Sequence, residues 1–184
     1  ETSIAAAIDG VGPGDLDLAI VATGVLTLAS GAAPERSMRG IDPAAMLEMV
    51  RINTIGPAII AKHTLPRLPR ERRSVFAALS ARVGSIGDNR LGGWHSYRAS
   101  KAALNMLLRC LAIEQARTHR LAVIAGLHPG TVDTALSAPF QRGLPDGQLH
   151  TPEQSAANLL GVLERLTPAE SGGVFDWRGD RVPD

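Results

Sequence analysis

"SVFAALSARVGSIGDNRLGGWHSYRASKAALNMLLRCLAIEQARTHRLAVIAGLHPG", Ser74 to Gly130, holds a strand, a long helix and a second strand in succession. Ser74–Ser80 is a short, nearly continuous apolar run, the pattern of a strand buried on both faces. A glycine-rich segment, Ala81–Gly93, separates it from apolar spacing that predicts a helix from about His95 to Thr118. "LAVIAGL", Leu121–Leu127, is the next buried strand and stops at His128-Pro129-Gly130. Two strands joined by a helix make a βαβ unit, with parallel strands and a right-handed crossover.

The neighbouring sequence extends the same alternation. "LDLAIVATG" (Leu16–Gly24) is another buried strand. "DPAAMLEMVRINTIGPAIIAKHTLPRL" (Asp42–Leu68) has helical spacing, with Asp42 suited to the N-cap and Pro43 to the first helical position. Thr151, Pro152 and Glu153 open a helix over "QSAANLLGVLERL", and "GGVFDW" (Gly172–Trp177) reads as a last short strand. "ETSIAAAID" at the start reads as helical turns. "GVGPG" (Gly10–Gly14) precedes a strand and opens no helix, so it is a turn and not a phosphate-binding loop. The expected fold is α/β, a Rossmann-like doubly wound parallel sheet in a single domain over residues 1–184, with ligands bound beyond the strand C-termini.

Composition narrows the function. The 184 residues are 45% hydrophobic and 20% charged with a net charge of +1, which argues against a nucleic-acid or anionic-membrane partner. The basic run "RLPRERR" (Arg67–Arg73) follows a helical pattern and is expected to meet the negative end of that helix. One cysteine, Cys110, rules out a disulfide within the chain and is expected to be a small core residue. The five histidines lack metal-ligand spacing, so no metal site is expected. No apolar run approaching a membrane span and no signal peptide is read, and a cytoplasmic location is the expectation.

The strand ends gather polar chemistry at one edge: "ATG" after the first strand, Ser80–Ser85 after the second and "HPGTVDT" after the third. Beside them starts the helix carrying Tyr97, the single tyrosine, and Lys101. Residues i and i+4 share a helix face, so both can point at one spot. An ammonium within several ångströms favours the phenolate and would lower the tyrosine pKa, fitting it to pass a proton near neutral pH.

"YRASKAALNML" behind "SARVGSIGDN", with "INTIGP" before and "HPGTVDT" after, resembles the short-chain dehydrogenase/reductase family over essentially the whole chain. The wording is nearest the carbonyl-reductase branch that includes sniffer and the C-factor proteins. The resemblance implies an NAD(P)-dependent oxidoreductase moving a hydride between nicotinamide and a small-molecule carbonyl or secondary alcohol. It gives Tyr97 the role of acid/base, and Lys101 those of lowering its pKa and binding the nicotinamide ribose. Ser85 would polarise the substrate oxygen, with Ser80 as the alternative, since Ala81 stands at the position after the strand. Pro57 lacks an N–H, which leaves the Asn53 carbonyl without its usual helical donor; the resemblance puts the family's relay water there. Pro129, Gly130, Val132 and Thr134 would contact the cofactor, as would Gly24 and Ala22, where the family has asparagine.

The family's first strand and its glycine-rich pyrophosphate turn have no counterpart here, so roughly the first three strands and two helices are expected to be absent. "LDLAIVA" then becomes an open hydrophobic edge, and the expectation is a fragment of a longer protein or, alternatively, a chain whose edge a partner covers. The missing turn also leaves a second reading open: a non-catalytic reductase scaffold acting as a signalling or interaction factor. The resemblance and the apolar excess on the helices of Asn53 and Tyr97 imply a homodimer or homotetramer through those helices. Leu136 and Phe140, in the segment Ala135–His150, hint at a hydrophobic substrate.

Overall fold

A computed structural model describes residues 1–145 and 147–184. In chain order the elements are α1 (Thr2–Ile8), β1 (Leu18–Val21), α2 (Pro43–Val50), a π-helical turn (Arg51–Ile55) and α3 (Gly56–Thr64). Then come β2 (Ser74–Leu79), α4 (His95–Gln115), β3 (Ala122–His128), β4 (Thr131–Val132), β5 (Leu149–His150), α5 (Pro152–Arg165) and β6 (Val174–Asp176). Four strands form one parallel sheet in the order β1-β2-β3-β6, and β4 pairs with β5 in a separate small ribbon.

Alternation along the central strands divides the core into two layers. Phe76, Ala78 and Ile124 pack with Ala61 and Leu65 beside α3, and with Leu104 and Leu108 of α4, on one face. Val75, Ala77, Val123, Ala125 and Leu127 pack on Leu159, Val162 and Leu163 of α5 on the other. Both faces of β2 and β3 are buried, which is why these strands read as continuous apolar runs.

The helix ends obey local chemistry. Asp42 Oδ2 accepts the Ala45 N–H at 2.7 Å ahead of Pro43. Thr151 and Gln154 form a reciprocal capping box at α5. The basic run is divided: Arg67 stands in the last turn of the helical path before it, as expected, whereas Arg72 and Arg73 are engaged elsewhere. Arg73 donates to the Leu163 and Leu166 carbonyls, closing the C-terminus of α5 and not of the helix before it. Arg72 pairs with Asp17 at 2.7 Å. Cys110 is exposed, not a core residue, because the buried stripe of α4 runs through Tyr97, Lys101, Leu104, Leu108 and Ala112 and turns Cys110 outward.

Pro43–Arg67 is a continuous helical path of 25 residues that is long and apolar enough to cross a membrane by length and composition, contrary to the sequence reading. Here Ala61 and Leu65 belong to the sheet-covering core, and Asn53 and Thr54 are buried against α4. The π-helical turn sits just before Pro57: the Gly56 N–H reaches back five residues to the Arg51 carbonyl, so the proline is absorbed without breaking the path.

β1 is an edge strand. Its Ala19 and Val21 join the α3/α4 layer, while Leu18 and Ile20, on the α5 side, stay 44% and 42% exposed.

Candidate active site

The C-terminal ends of β1, β2 and β3, the start of α4 and one side of α5 border an open cavity of about 680 Å³. Ala22, Leu79, Ala81, Tyr97, Pro129, Gly130, Val132 and Thr134 are among its walls. A smaller hollow of about 110 Å³ shares Ala22, Leu79, Tyr97 and Pro129 with it and adds Gly24, Ser80 and Lys101. Eight of the ten residues singled out from sequence therefore converge on one place. Asn53 and Ser85 are the exceptions.

Tyr97 and Lys101 lie one turn apart on the buried side of α4, the ammonium 5.8 Å from the phenol ring centroid. Lys101 Nζ donates to the Leu79 carbonyl at 2.8 Å, so the end of β2 fixes it. Burial governs both groups: it pushes Tyr97 up to about 12 and Lys101 down to about 8. The expected lowering of the tyrosine is thus not realised in the protein alone, because desolvation outweighs an ammonium that is itself poorly solvated. Tyr97 is a protonated phenol at neutral pH, and Lys101 remains mostly charged. His128 is pushed down to about 4 by burial, opposed by the nearby Asp176 carboxylate, and is neutral.

Asn53 is fully buried, and its side chain is occupied with structure. Oδ1 accepts the Val25 N–H and Nδ2 donates to the Val25 carbonyl, both at 2.8 Å, with Ser100 Oγ at 3.2 Å. These bonds clamp the loop after β1 onto the helices. Gly24 stands in front of the clamp: a Cβ there would lie 3.3 Å from Asn53 Oδ1 and 3.4 Å from Lys101 Nζ. A side chain would fill the hollow onto which those polar atoms face.

The serines separate. Ser80 Oγ donates to Asn105 Oδ1 at 2.6 Å and borders the smaller hollow. Ser85 is buried elsewhere, its hydroxyl accepting the Asp88 N–H at 3.0 Å and lying 3.4 Å from the Asp184 carbonyl. The structure does not bring Ser85 to the Tyr97 cavity; the wall position is filled by Ala81. Spacing from the tyrosine pointed to Ser85, but the short 3-10 turn Arg82–Gly84 turns the chain away first. Gly84 is pressed on α4, where an added Cβ would sit 2.8 Å from Lys101 Cβ.

Two features escaped the sequence reading. Trp94 caps α4 in the left-handed conformation (φ 50°, ψ 40°), the only non-glycine with positive φ among the described residues. This conformation costs a residue with a Cβ roughly 1–2 kcal/mol. Glu35, distant in sequence, holds it: its carbonyl accepts the Trp94 N–H, and its carboxylate accepts the Ser96 N–H and hydroxyl. Neither signal is local, so neither was visible in a linear pattern.

The matching family model is that of the short chain dehydrogenases, over residues 2–144. The chain belongs to the short-chain dehydrogenase family. Within this family of oxidoreductases it is 36% identical over 143 residues to C-signal of Myxococcus xanthus, covering 78% of this chain and 81% of that protein. It is 37% identical over 123 residues to 1-hydroxy-2-glutathionyl-2-methyl-3-butene dehydrogenase of a Rhodococcus species, covering 67% of this chain and 51% of that one. Among solved structures, NADPH-bound carbonyl reductase from chicken fatty liver superposes with a TM-score of 0.82 at 29% identity, over 100% of this chain and 73% of the reductase. The short-chain dehydrogenase sheet thus accounts for the parallel order seen here, and the chain spans about half to four fifths of these relatives.

Proposed function

We propose that the protein is an NAD(P)-dependent oxidoreductase that interconverts a carbonyl compound and a secondary alcohol, with Tyr97 as the proton-transferring group. The observation that carries this reading is the meeting of Tyr97 and Lys101 at the strand ends, on a cavity of the size small-molecule sites have. A bound nicotinamide would supply the hydride acceptor or donor. Ala22, Gly24, Pro129, Gly130, Val132 and Thr134, with Tyr97 and Lys101, would hold it. The side-chain-free hollow at Gly24, faced by Asn53 Oδ1 and Lys101 Nζ, fits a polar cofactor edge.

Tyr97 donates its phenolic proton to the carbonyl oxygen in reduction and recovers it from the alcohol in oxidation. A phenol near 12 is protonated throughout the neutral range, which favours the reductive direction. Lys101, steadied by the Leu79 carbonyl, stabilises the phenolate left behind. The Asn53 carbonyl, within the π-helical turn, would hold a water that returns the proton by way of Lys101. Ser85 has no part in this step, since its hydroxyl is bound to the Asp88 N–H and Ala81 lines the wall.

The similarity to C-signal supports a second reading, a scaffold that signals without turnover. Fluorescence titration with NADPH and NADH separates the two. Binding of either at micromolar concentration agrees with the enzyme; binding of neither by the full-length product of the gene removes it. A homodimer or homotetramer through the helices of Asn53 and Tyr97 belongs to the same proposal, supported by the exposed Leu47, Ile55, Met106 and Ile113.

A further inference from the structure

The large cavity has an aromatic end. Trp94 meets Tyr97 edge-on with ring centroids 6.2 Å apart and an interplanar angle of 71°. It also meets Phe140, from the segment after β4, at 5.0 Å and 64°. Val83 packs in the same cluster on that side. None of the described lining residues carries a charge. Three lining hydroxyls are turned to backbone: Ser137 Oγ donates to the Val132 carbonyl, Thr134 Oγ1 lies 3.4 Å from the same oxygen, and Ser155 Oγ lies 3.5 Å from the Pro129 carbonyl.

The indole is placed there at a conformational cost. Gly92, Gly93 and Trp94 have φ of 63°, 66° and 50°, three left-handed residues in a row, although only the first two are glycines. The turn is held from two directions. Glu35 accepts the Trp94 N–H at 2.6 Å, and Arg98 donates to the Gly93 carbonyl at 3.1 Å and the Val83 carbonyl at 3.2 Å. A bulky residue kept where glycine would sit without strain points to work done by its side chain.

We propose that Trp94 and Phe140 are the specificity-determining wall of this site, and that its substrates are uncharged carbonyl compounds with an aryl or similarly flat group beside the carbonyl. This deepens the oxidoreductase reading and rests on it for the carbonyl. The flat group packs against the indole and the Phe140 ring, which leaves the carbonyl oxygen at the Tyr97 hydroxyl. A carboxylate or phosphate at the aromatic end would meet no charged side chain among the described lining residues and would lose hydration against apolar walls.

The test compares three carbonyl probes with NADPH and with NADH: acetophenone, 2-hexanone and benzoylformate. The expected order of kcat/KM puts acetophenone about tenfold above 2-hexanone, the scale of one aromatic contact. Benzoylformate, aryl but anionic, should be the poorest of the three. Trp94→Ala should raise KM about tenfold more for acetophenone than for 2-hexanone, and Trp94→Phe should restore most of the preference. Equal rates for the ketones, a preference for benzoylformate, or equal losses on both ketones in Trp94→Ala would overturn the proposal. Calorimetric binding of benzamide against hexanamide, neither reducible, reads the wall without turnover. Benzamide binding no tighter than hexanamide sinks the wall. Tighter benzamide binding without turnover of any ketone supports the wall and removes the oxidoreductase reading instead.

Discussion

Lys101 is 4% exposed with its ammonium on the Leu79 carbonyl, and burial brings it from its ordinary 10.5 down to about 8. Between those two values the unfolded chain binds a proton that the folded chain has released. Lys101 therefore makes stability rise with pH through that window, by an amount on the order of 3 kcal/mol at full span. Tyr97 acts oppositely: held near 12, it keeps its proton when folded and takes stability away above its ordinary 10. The clean interval is thus about pH 8 to 10, where Lys101→Met should flatten the rise seen by urea denaturation in the parent protein. An unchanged slope in that variant would show that burial does not hold Lys101 as described. At the same scale, reduction should fall as pH climbs past about 8 and the ammonium that stabilises the phenolate is lost, whereas alcohol oxidation, which needs the phenolate, should stay slow across this range because Tyr97 is held near 12. pH–rate profiles in both directions check the pair. The Tyr–Lys spacing was legible in the sequence because i and i+4 fix a shared face. The actual proton affinities were not, because they depend on desolvation by residues brought in from β1, β2 and β3.

The start of α4 is assembled from distant pieces. Trp94, its N-cap residue, makes no side-chain cap, and the Glu35 carboxylate takes over by accepting from Ser96. Glu35→Ala should cost about 1–2 kcal/mol, the range for a lost helix cap, in chemical denaturation. It should also weaken activity more than the stability loss explains, because Tyr97 sits in the first turn. Gly84→Ala attacks the same helix from its flank. A methyl 2.8 Å from Lys101 Cβ must push either the turn or α4 aside, at about 1–3 kcal/mol. Loss of turnover with the fold retained by circular dichroism is the expected outcome; wild-type activity would show that the contact is slack. The strands and the capped helices α2 and α5 were readable since burial on both faces and N-cap chemistry leave local marks. The left-handed turn, the Glu35 clamp and the diversion of Ser85 were not, since each depends on a partner far along the chain. Cys110 was misjudged for a related reason: α4 is apolar on more than one side, and the pattern alone does not say which side meets the sheet.

At the scale of the molecule, β2 and β3 are sealed between α3, α4 and α5, but β1 leaves one edge unpaired with Leu18 and Ile20 half uncovered. An apolar strand edge in water invites another strand. The 184-residue chain expressed alone should therefore self-associate, and Leu18→Lys should lower light scattering at equal concentration. Unaltered scattering would place the sticky surface elsewhere. A separate apolar surface, Leu47 and Ile55 with Met106 and Ile113 of α4, belongs to the proposed subunit contact. Met106→Glu combined with Ile113→Glu should shift sedimentation towards monomer without altering the sheet.

The proposed proton transfer turns on one hydroxyl. Tyr97→Phe removes it and leaves the ring, its contact with Trp94 and the cavity in place. Single-turnover reduction of acetophenone by the full-length protein at saturating NADPH should slow by about 10²–10⁴ in this variant, the scale of a lost general acid. A variant that reduces the ketone as fast as the parent would contradict the assignment of the proton to Tyr97.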